Sequence, residues 1–345
     1  MRIFKRFILY VCAIVMVVVL VSAAFIIPWM YTPTDGHDQA LRAQLAGQID
    51  TLIIGQSYAM NGVVPQKLDE KLGTRSYNLS GSLMPIYGQQ YMIEKELARN
   101  PVRHVILEIT PDTFTNDETM TYGNGDSYIV ARLDSFAERL DYLIRHVPLY
   151  DWPNIYARTL LQSMRSLAYR VLGRAELIDD ANMGFIPLKA EDVSMDLDWA
   201  RAWHRSQAIF INPLEENIRK YERLIQACKD AGCEVTIFYT PVSHIKVWQL
   251  YDQDNFLNWA REIAEKYDVA LFDFNLLKSR YERFSDASSF SDNNHLSAEG
   301  AELFSGVMGD VLARHWAGED VSSLFYADYQ EVIHDSIYWG RATEE

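Results

Sequence analysis

Thr51-Leu52-Ile53-Ile54-Gly55-Gln56-Ser57-Tyr58-Ala59-Met60-Asn61-Gly62 is the stretch on which the reading of this chain turns. Leu52 to Ile54 is a short apolar run, the mark of a strand buried on both faces in a parallel sheet. It stops at Gly55, where a residue without a Cβ lets the backbone turn sharply. Ser57 follows at once, ahead of a helical pattern over residues 65–72. Open α/β sheets place their sites at the carboxyl ends of parallel strands, so Ser57 stands where a site is expected. A Gly-x-Ser turn is also an ordinary strand-to-loop connection, and alone it is only a motif match.

Outward from that turn the same alternation recurs. Residues 50–54, 76–79, 102–109, 234–239 and 270–273 read as strands, and 65–72, 86–100, 212–231 and 255–267 as helices between them. Strand, helix and strand at this spacing predict an α/β fold of the flavodoxin-like kind, with five parallel strands and crossover helices. Asn212 as N-cap, Pro213 at the first helical position and Glu215 at the third predict one helix start, and Gly232 its end. Ser297 caps a last helix running to about Trp316. Residues 113–211 break the alternation and predict a helical insertion over the sheet's carboxyl edge, and long insertions there are usually functional. Its Trp152, Trp199 and Trp203, with Tyr128, are either the insertion's own core or flat surface for a sugar face. Residues 317–345 form an acidic, aromatic tail, too apolar to be merely solvated.

The amino terminus carries a different message. Arg2, Lys5 and Arg6 precede an uncharged run over residues 7–31, long enough to cross a bilayer as a helix. A cleaved signal peptide is the alternative, with Val21-Ser22-Ala23-Ala24 as its site, but apolar residues continue through Trp29-Met30-Tyr31. The expectation is an uncleaved anchor over 1–31, a stalk over 32–49 with a first helix around 39–46, and a main domain over 50–316. The basic end lies in the cytoplasm and the rest outside. Formal net charge is −15, which argues against nucleic acid as a partner. Cys228 and Cys233, outside the cytoplasm, either pair or serve as small apolar residues at a helix end and a strand start. No cofactor motif or metal-ligand spacing is read.

Near the other end of the chain stands Ser291-Asp292-Asn293-Asn294-His295-Leu296-Ser297. Asp292 and His295 are a carboxylate and an imidazole three residues apart, just before a helix. A serine hydroxyl needs a base to take its proton, and the base needs a third group to orient it. Ser57, His295 and Asp292 supply those parts. His244, just past the fourth strand, either faces the site or is a surface residue. Asp112 receives no role, because a negative charge there would oppose an oxyanion.

An early Gly-x-Ser after the first strand and a late Asp-x-x-His before the last helix resemble the SGNH/GDSL hydrolase superfamily. The resemblance spans residues 50–316 apart from the insertion. It implies a serine nucleophile, Ser57, with Asp292 and His295, and an oxyanion hole that includes the N–H groups of Ser57 and Gly81. Two departures stand out: Gln56 replaces the usual aspartate, and Ile109-Thr110-Pro111-Asp112-Thr113-Phe114 stands where Gly-x-Asn-Asp is usual. Ile-Gly-x-Ser, Tyr-Asn-Leu-x-Gly, Pro-x-x-Phe and Asn-His-Leu-Ser are together similar to the membrane-anchored DltD-type proteins. That similarity implies O-acylation of a cell-surface glycan or polymer, such as O-acetylation or D-alanylation, beside a membrane-bound O-acyltransferase. A tethered carbohydrate esterase, or a non-catalytic partner of the acyltransferase, are the alternatives.

Overall fold

The computed structural model describes residues 4, 6–17, 20, 36–115, 125–159, 161, 182–191, 213–243, 246, 247, 253–279, 284 and 287–334. In chain order its elements begin α1 (Gly36–Gln44), β1 (Thr51–Ile54), α2 (Ser57–Gly62), α3 (Pro65–Leu72), β2 (Ser76–Asn78), α4 (Ile86–Leu97) and β3 (His104–Glu108). Then come α5 (Pro111–Thr115), α6 (Gly125–Arg132), α7 (Phe136–His146), α8 (Glu215–Asp230), β4 (Glu234–Tyr239), α9 (Gln253–Tyr267) and β5 (Ala270–Asp273). α10 (Ala298–Trp316) and α11 (Tyr329–His334) close the described chain.

The five strands form one all-parallel sheet in the order β2-β1-β3-β4-β5. This is the doubly wound, flavodoxin-like order. Side chains of a strand alternate between faces, so neighbours in β1 belong to different cores. Leu52 and Ile54 join Val105, Leu107 and Ile237 on the face covered by α4, α8 and α9. Ile53 joins Ile106 and Phe238 on the face covered by α3 and α10. Burying an aliphatic side chain of this size stabilises by about 1.5–3 kcal/mol, so Leu52, Ile53 and Ile54 each hold one of the two layers in place. The chain leaves β1 toward β2 on one side and returns to β3 on the other. The carboxyl end of β1 therefore lies at the switch point of the sheet, where a crevice opens.

Several expected boundaries move. The helix expected around 39–46 in the stalk is present as α1, and from Gly36 on the segment belongs to the folded domain rather than to a connector. Arg42 is buried there, its Nε 2.9 Å from Asp38 Oδ2 and its Nη1 2.8 Å from Glu96 Oε1 of α4. At the other end Tyr329 donates through its hydroxyl to Asp273 Oδ2 of β5 at 2.6 Å, so the main domain runs past Trp316 into the tail. The helix expected from Asn212 begins instead at Glu215, because the Leu214 N–H donates to Phe114 O at 2.9 Å and holds Leu214 extended. Asn212 itself lies outside the described residues. Cys228 and Cys233 are free and buried, and burial pushes the Cys228 thiol up to about 12.

Of the expected anchor, residues 6–17 are helical and their side chains are exposed, among them Phe7, Leu9, Tyr10 and Ile14. Residues 18, 19 and 21–35 lie outside the described set, and among the described residues no helix is long and apolar enough to cross a membrane. Within the insertion, α6 and α7 pack beside α4, where Ile129 and Tyr142 enter the core. Trp152 is half-buried against the same core. Trp199 and Trp203 lie outside the described residues, as does His244.

Candidate active site

The site grows from the turn after β1. Gly55 does not adopt a positive φ, so its role differs from that of a sharp-turn glycine. A Cβ added there would fall 2.3 Å from both Cβ and Oε2 of Glu108. Glycine is needed because β3 sends a carboxyl under the turn, and only a residue without a side chain leaves room for it. Ser57 opens α2, one turn of which is enough to aim it out of the sheet. The Ser57 N–H has no hydrogen-bond partner among the described residues.

The second half is the loop before α10. Phe290 and Leu296 pair as an antiparallel bridge, and the Ser291 N–H donates to His295 O at 2.9 Å, closing a tight loop. Asp292 Oδ1 accepts from the Asn294 and His295 N–H groups at 2.7 and 2.9 Å. Ser297 Oγ caps α10 through the Gly300 N–H at 3.1 Å. Ser243 Oγ donates to Asn293 Oδ1 at 3.1 Å and ties the loop to the end of β4.

Ser57, His295 and Asp292 meet across the crevice. His295 Nε2 is 2.7 Å from Ser57 Oγ, and His295 Nδ1 is 2.8 Å from Asp292 Oδ2. The network places the imidazole proton on Nδ1, which donates to the carboxylate, and leaves Nε2 to accept from the serine. Partial burial opposes ionisation of Asp292, but hydrogen bonds from His295 and Asn294 outweigh it and hold its carboxyl below the ordinary range. Asp292 keeps about half of its side chain in solvent and His295 about a fifth. The pair is thus reachable from outside.

Gly81 lies beside the turn but is not open as its sequence position suggests. Its N–H donates to Gly55 O at 3.3 Å, two residues beyond the bond from Leu79 N to Ile53 O at 2.8 Å. The parallel ladder of β1 and β2 runs on past the strand ends and takes up that donor. Among the described residues the Ser57 N–H is free and the Gly81 N–H is engaged.

Three features were missed in the sequence. Tyr58 packs against His295, ring centroids 5.2 Å apart, and donates to Asp112 Oδ2 at 3.2 Å. Burial, reinforced by Asp112 and Glu108, pushes its phenol up, so it stays neutral. Asn78 is fully buried and donates to Ala59 O and Val63 O at 2.8 and 2.9 Å, seating α2 on β2. Residues 182–191 form a strap over the crevice. Met183 O accepts from Asn78 N at 2.9 Å, Ile186 O from Asn61 Nδ2 at 2.7 Å, and Leu188 O from Ala298 N at 2.8 Å. The strap joins the serine half to the histidine half. Only the Asn78 in Tyr-Asn-Leu carried a signal, and it pointed to Gly81 rather than to itself.

A cleft of about 830 Å³ lies elsewhere, between β5, α9 and residues 318–327, lined by Phe272, Phe325 and Tyr326 among others. It contains no member of the serine–histidine pair. Among the described residues no cluster of His, Cys, Asp and Glu is placed to hold a metal ion.

Gly55→Ala tests the crowding under the turn. Overfilling a packed interior costs about 1–3 kcal/mol. The melting temperature should fall accordingly, and labelling of Ser57 by a fluorophosphonate should slow as the turn shifts. A variant that melts and labels like the parent would show that Glu108 can retreat.

Comparison with protein-family models and with curated proteins finds no match for this chain.

Proposed function

We propose that the chain is a membrane-anchored, extracytoplasmic serine acyl-transfer protein of the SGNH type. It acts in O-acylation of a cell-surface glycan or polymer beside a membrane-bound O-acyltransferase. The observation that carries the reading is the run Ser57 Oγ, His295 Nε2, His295 Nδ1, Asp292 Oδ2, with contacts of 2.7 and 2.8 Å at the switch point of the sheet. Ser57 Oγ attacks an acyl carbonyl and gives its proton to His295 Nε2. Asp292 holds the imidazole and stabilises the cation that forms. The proton then passes from His295 to the leaving alcohol oxygen, an acyl-serine remains, and a second hydroxyl resolves it by the same steps reversed. The Ser57 N–H is the oxyanion donor that stands open. Gly81 joins it on giving up its long bond to Gly55 O. A donor aimed at a developing oxyanion is worth on the order of 3 kcal/mol of barrier.

The exposed apolar helix over residues 6–17 supports the anchor, since water is a poor environment for such a surface. An anchor raises the effective concentration of the domain near a membrane donor, from which a free esterase gains nothing. A second reading, a non-catalytic partner that docks the acyltransferase, is favoured by the engaged Gly81 N–H. Turnover of an aryl acetate by the fragment 32–345 separates these. Slow hydrolysis with covalent labelling at Ser57 is the expected result. Brisk hydrolysis, at about 10 per second or more, would leave a tethered deacylase. No labelling at all would leave the docking partner.

A further inference from the structure

Glu108 ends β3 directly beneath the serine turn and is almost completely buried. Its Oε2 accepts the Gln56 N–H, and the Ala59 N–H faces the same carboxyl and favours its charged form. These two amides bracket Ser57. Gly55 is a glycine because this carboxyl occupies the place where a Cβ would be. Gln56 makes no side-chain cap for α2, so Glu108 performs from another strand the service that an N-cap residue usually performs locally. The Ser57 N–H between the two bracketed amides is left without a partner among the described residues.

We infer that Glu108 is a positioning residue for the acyl-transfer step: its buried carboxyl holds the Gln56 amide, faces that of Ala59, and so keeps the Ser57 N–H turned to the oxyanion. The inference rests on the reading of Ser57 as nucleophile and adds a group that no motif contains. Neutrality matters because a carboxylate beneath the turn would oppose negative charge developing on the oxyanion above it. Burial pushes the Glu108 carboxyl up to about 8, against the pull of the Gln56 and Ala59 amides, and the charge of Asp112 adds to the rise. The other titratable groups facing it are Tyr58 on α2, Tyr221 on α8 and Tyr239 on β4, all three held neutral by burial. Tyr221 donates to the Glu108 backbone carbonyl at 3.1 Å rather than to the carboxyl. No basic side chain pairs with Glu108 among the described residues.

The sign of the pH dependence follows. A carboxyl whose folded value lies above the unfolded 4.5 holds its proton longer in the folded state, so its burial costs stability increasingly as pH rises from 4.5 to about 8. Glu108→Gln carries no such penalty, and its melting temperature should gain on the parent across that window.

The test uses the full chain in detergent, with parent, Glu108→Gln and Glu108→Ala labelled by a fluorophosphonate from pH 6 to 10. Hydrogen exchange of the peptide containing residues 55–60 is followed alongside. The parent should lose labelling rate on an alkaline limb near pH 8. Glu108→Gln should label within a few-fold of the parent at pH 7 and lack that limb. Glu108→Ala should label at least tenfold more slowly, with at least tenfold faster exchange. A folded Glu108→Ala with parental labelling and exchange overturns the inference, as does an alkaline limb that survives in Glu108→Gln. If Glu108→Ala does not fold, the limb in Glu108→Gln decides. If the parent takes no label while exchange responds as stated, the nucleophile reading fails and the clamp stands.

Discussion

Ser57→Ala is expected to abolish covalent labelling by a fluorophosphonate and to lower turnover of an aryl acetate by on the order of 10⁴-fold or more. The size follows from what the hydroxyl does. Ser57 Oγ is the atom that His295 Nε2 meets at 2.7 Å, and no other hydroxyl bonds that nitrogen among the described residues. Alanine leaves His295, Asp292 and the Ser57 backbone N–H in place, so whatever remains is attack by water under the same base. Stability should barely change, because the removed hydroxyl sits on the half-buried rim of the crevice. Labelling that persists in this variant would place the nucleophile elsewhere and overturn the site. Labelling that disappears while the melting temperature holds would separate chemistry from folding.

Arg42→Met should destabilise the domain by about 3–5 kcal/mol, since removing one member of a buried ion pair leaves the other away from water and short of its nearest counter-charge. Arg42 is 2% exposed and Glu96 is completely buried. Its guanidinium bonds Asp38 and Glu96 and donates to the Arg132 carbonyl, so one side chain joins α1, α4 and the end of α6. Methionine fills much of the volume but offers no donor. Among the described residues Glu96 then keeps only Asn100 Nδ2 at 2.8 Å and the partly exposed Arg99 guanidinium at 3.7 Å. In a domain of this size each kcal/mol moves the melting temperature by roughly 2–4 °C, well within reach of a thermal melt. Glu96→Gln in the Arg42→Met background should recover part of the loss by removing the stranded charge. An unmoved melting temperature in Arg42→Met would return α1 to the role of a free connector.

The strands were legible because each signal was local. Leu52 to Ile54 and Glu234 to Tyr239 are apolar runs whose pattern survives any arrangement of the rest, and β4 and β5 carry the bounds expected of them. Ser297 and Gly232 announced a helix start and a helix end by chemistry confined to a few neighbours, and both hold. Asn212 failed for the opposite reason. Its capping pattern was sound, but a bond from Leu214 to Phe114 across the fold pulled the helix start forward.

By itself, the sequence determined the α/β alternation, the five strands and the two ends, at Ser57 and at Asp292 and His295, that meet in the crevice. These rest on periodicity and on short motifs, which the chain carries regardless of its partners. Only the tertiary structure decided what surrounds them: Glu108 beneath Gly55, Tyr58 against His295, the Gly81 N–H drawn into the ladder, and α1 bound inside the domain by Arg42. The physical reason is that a buried polar group must find a partner, and that partner stands next to it in space and far from it along the chain.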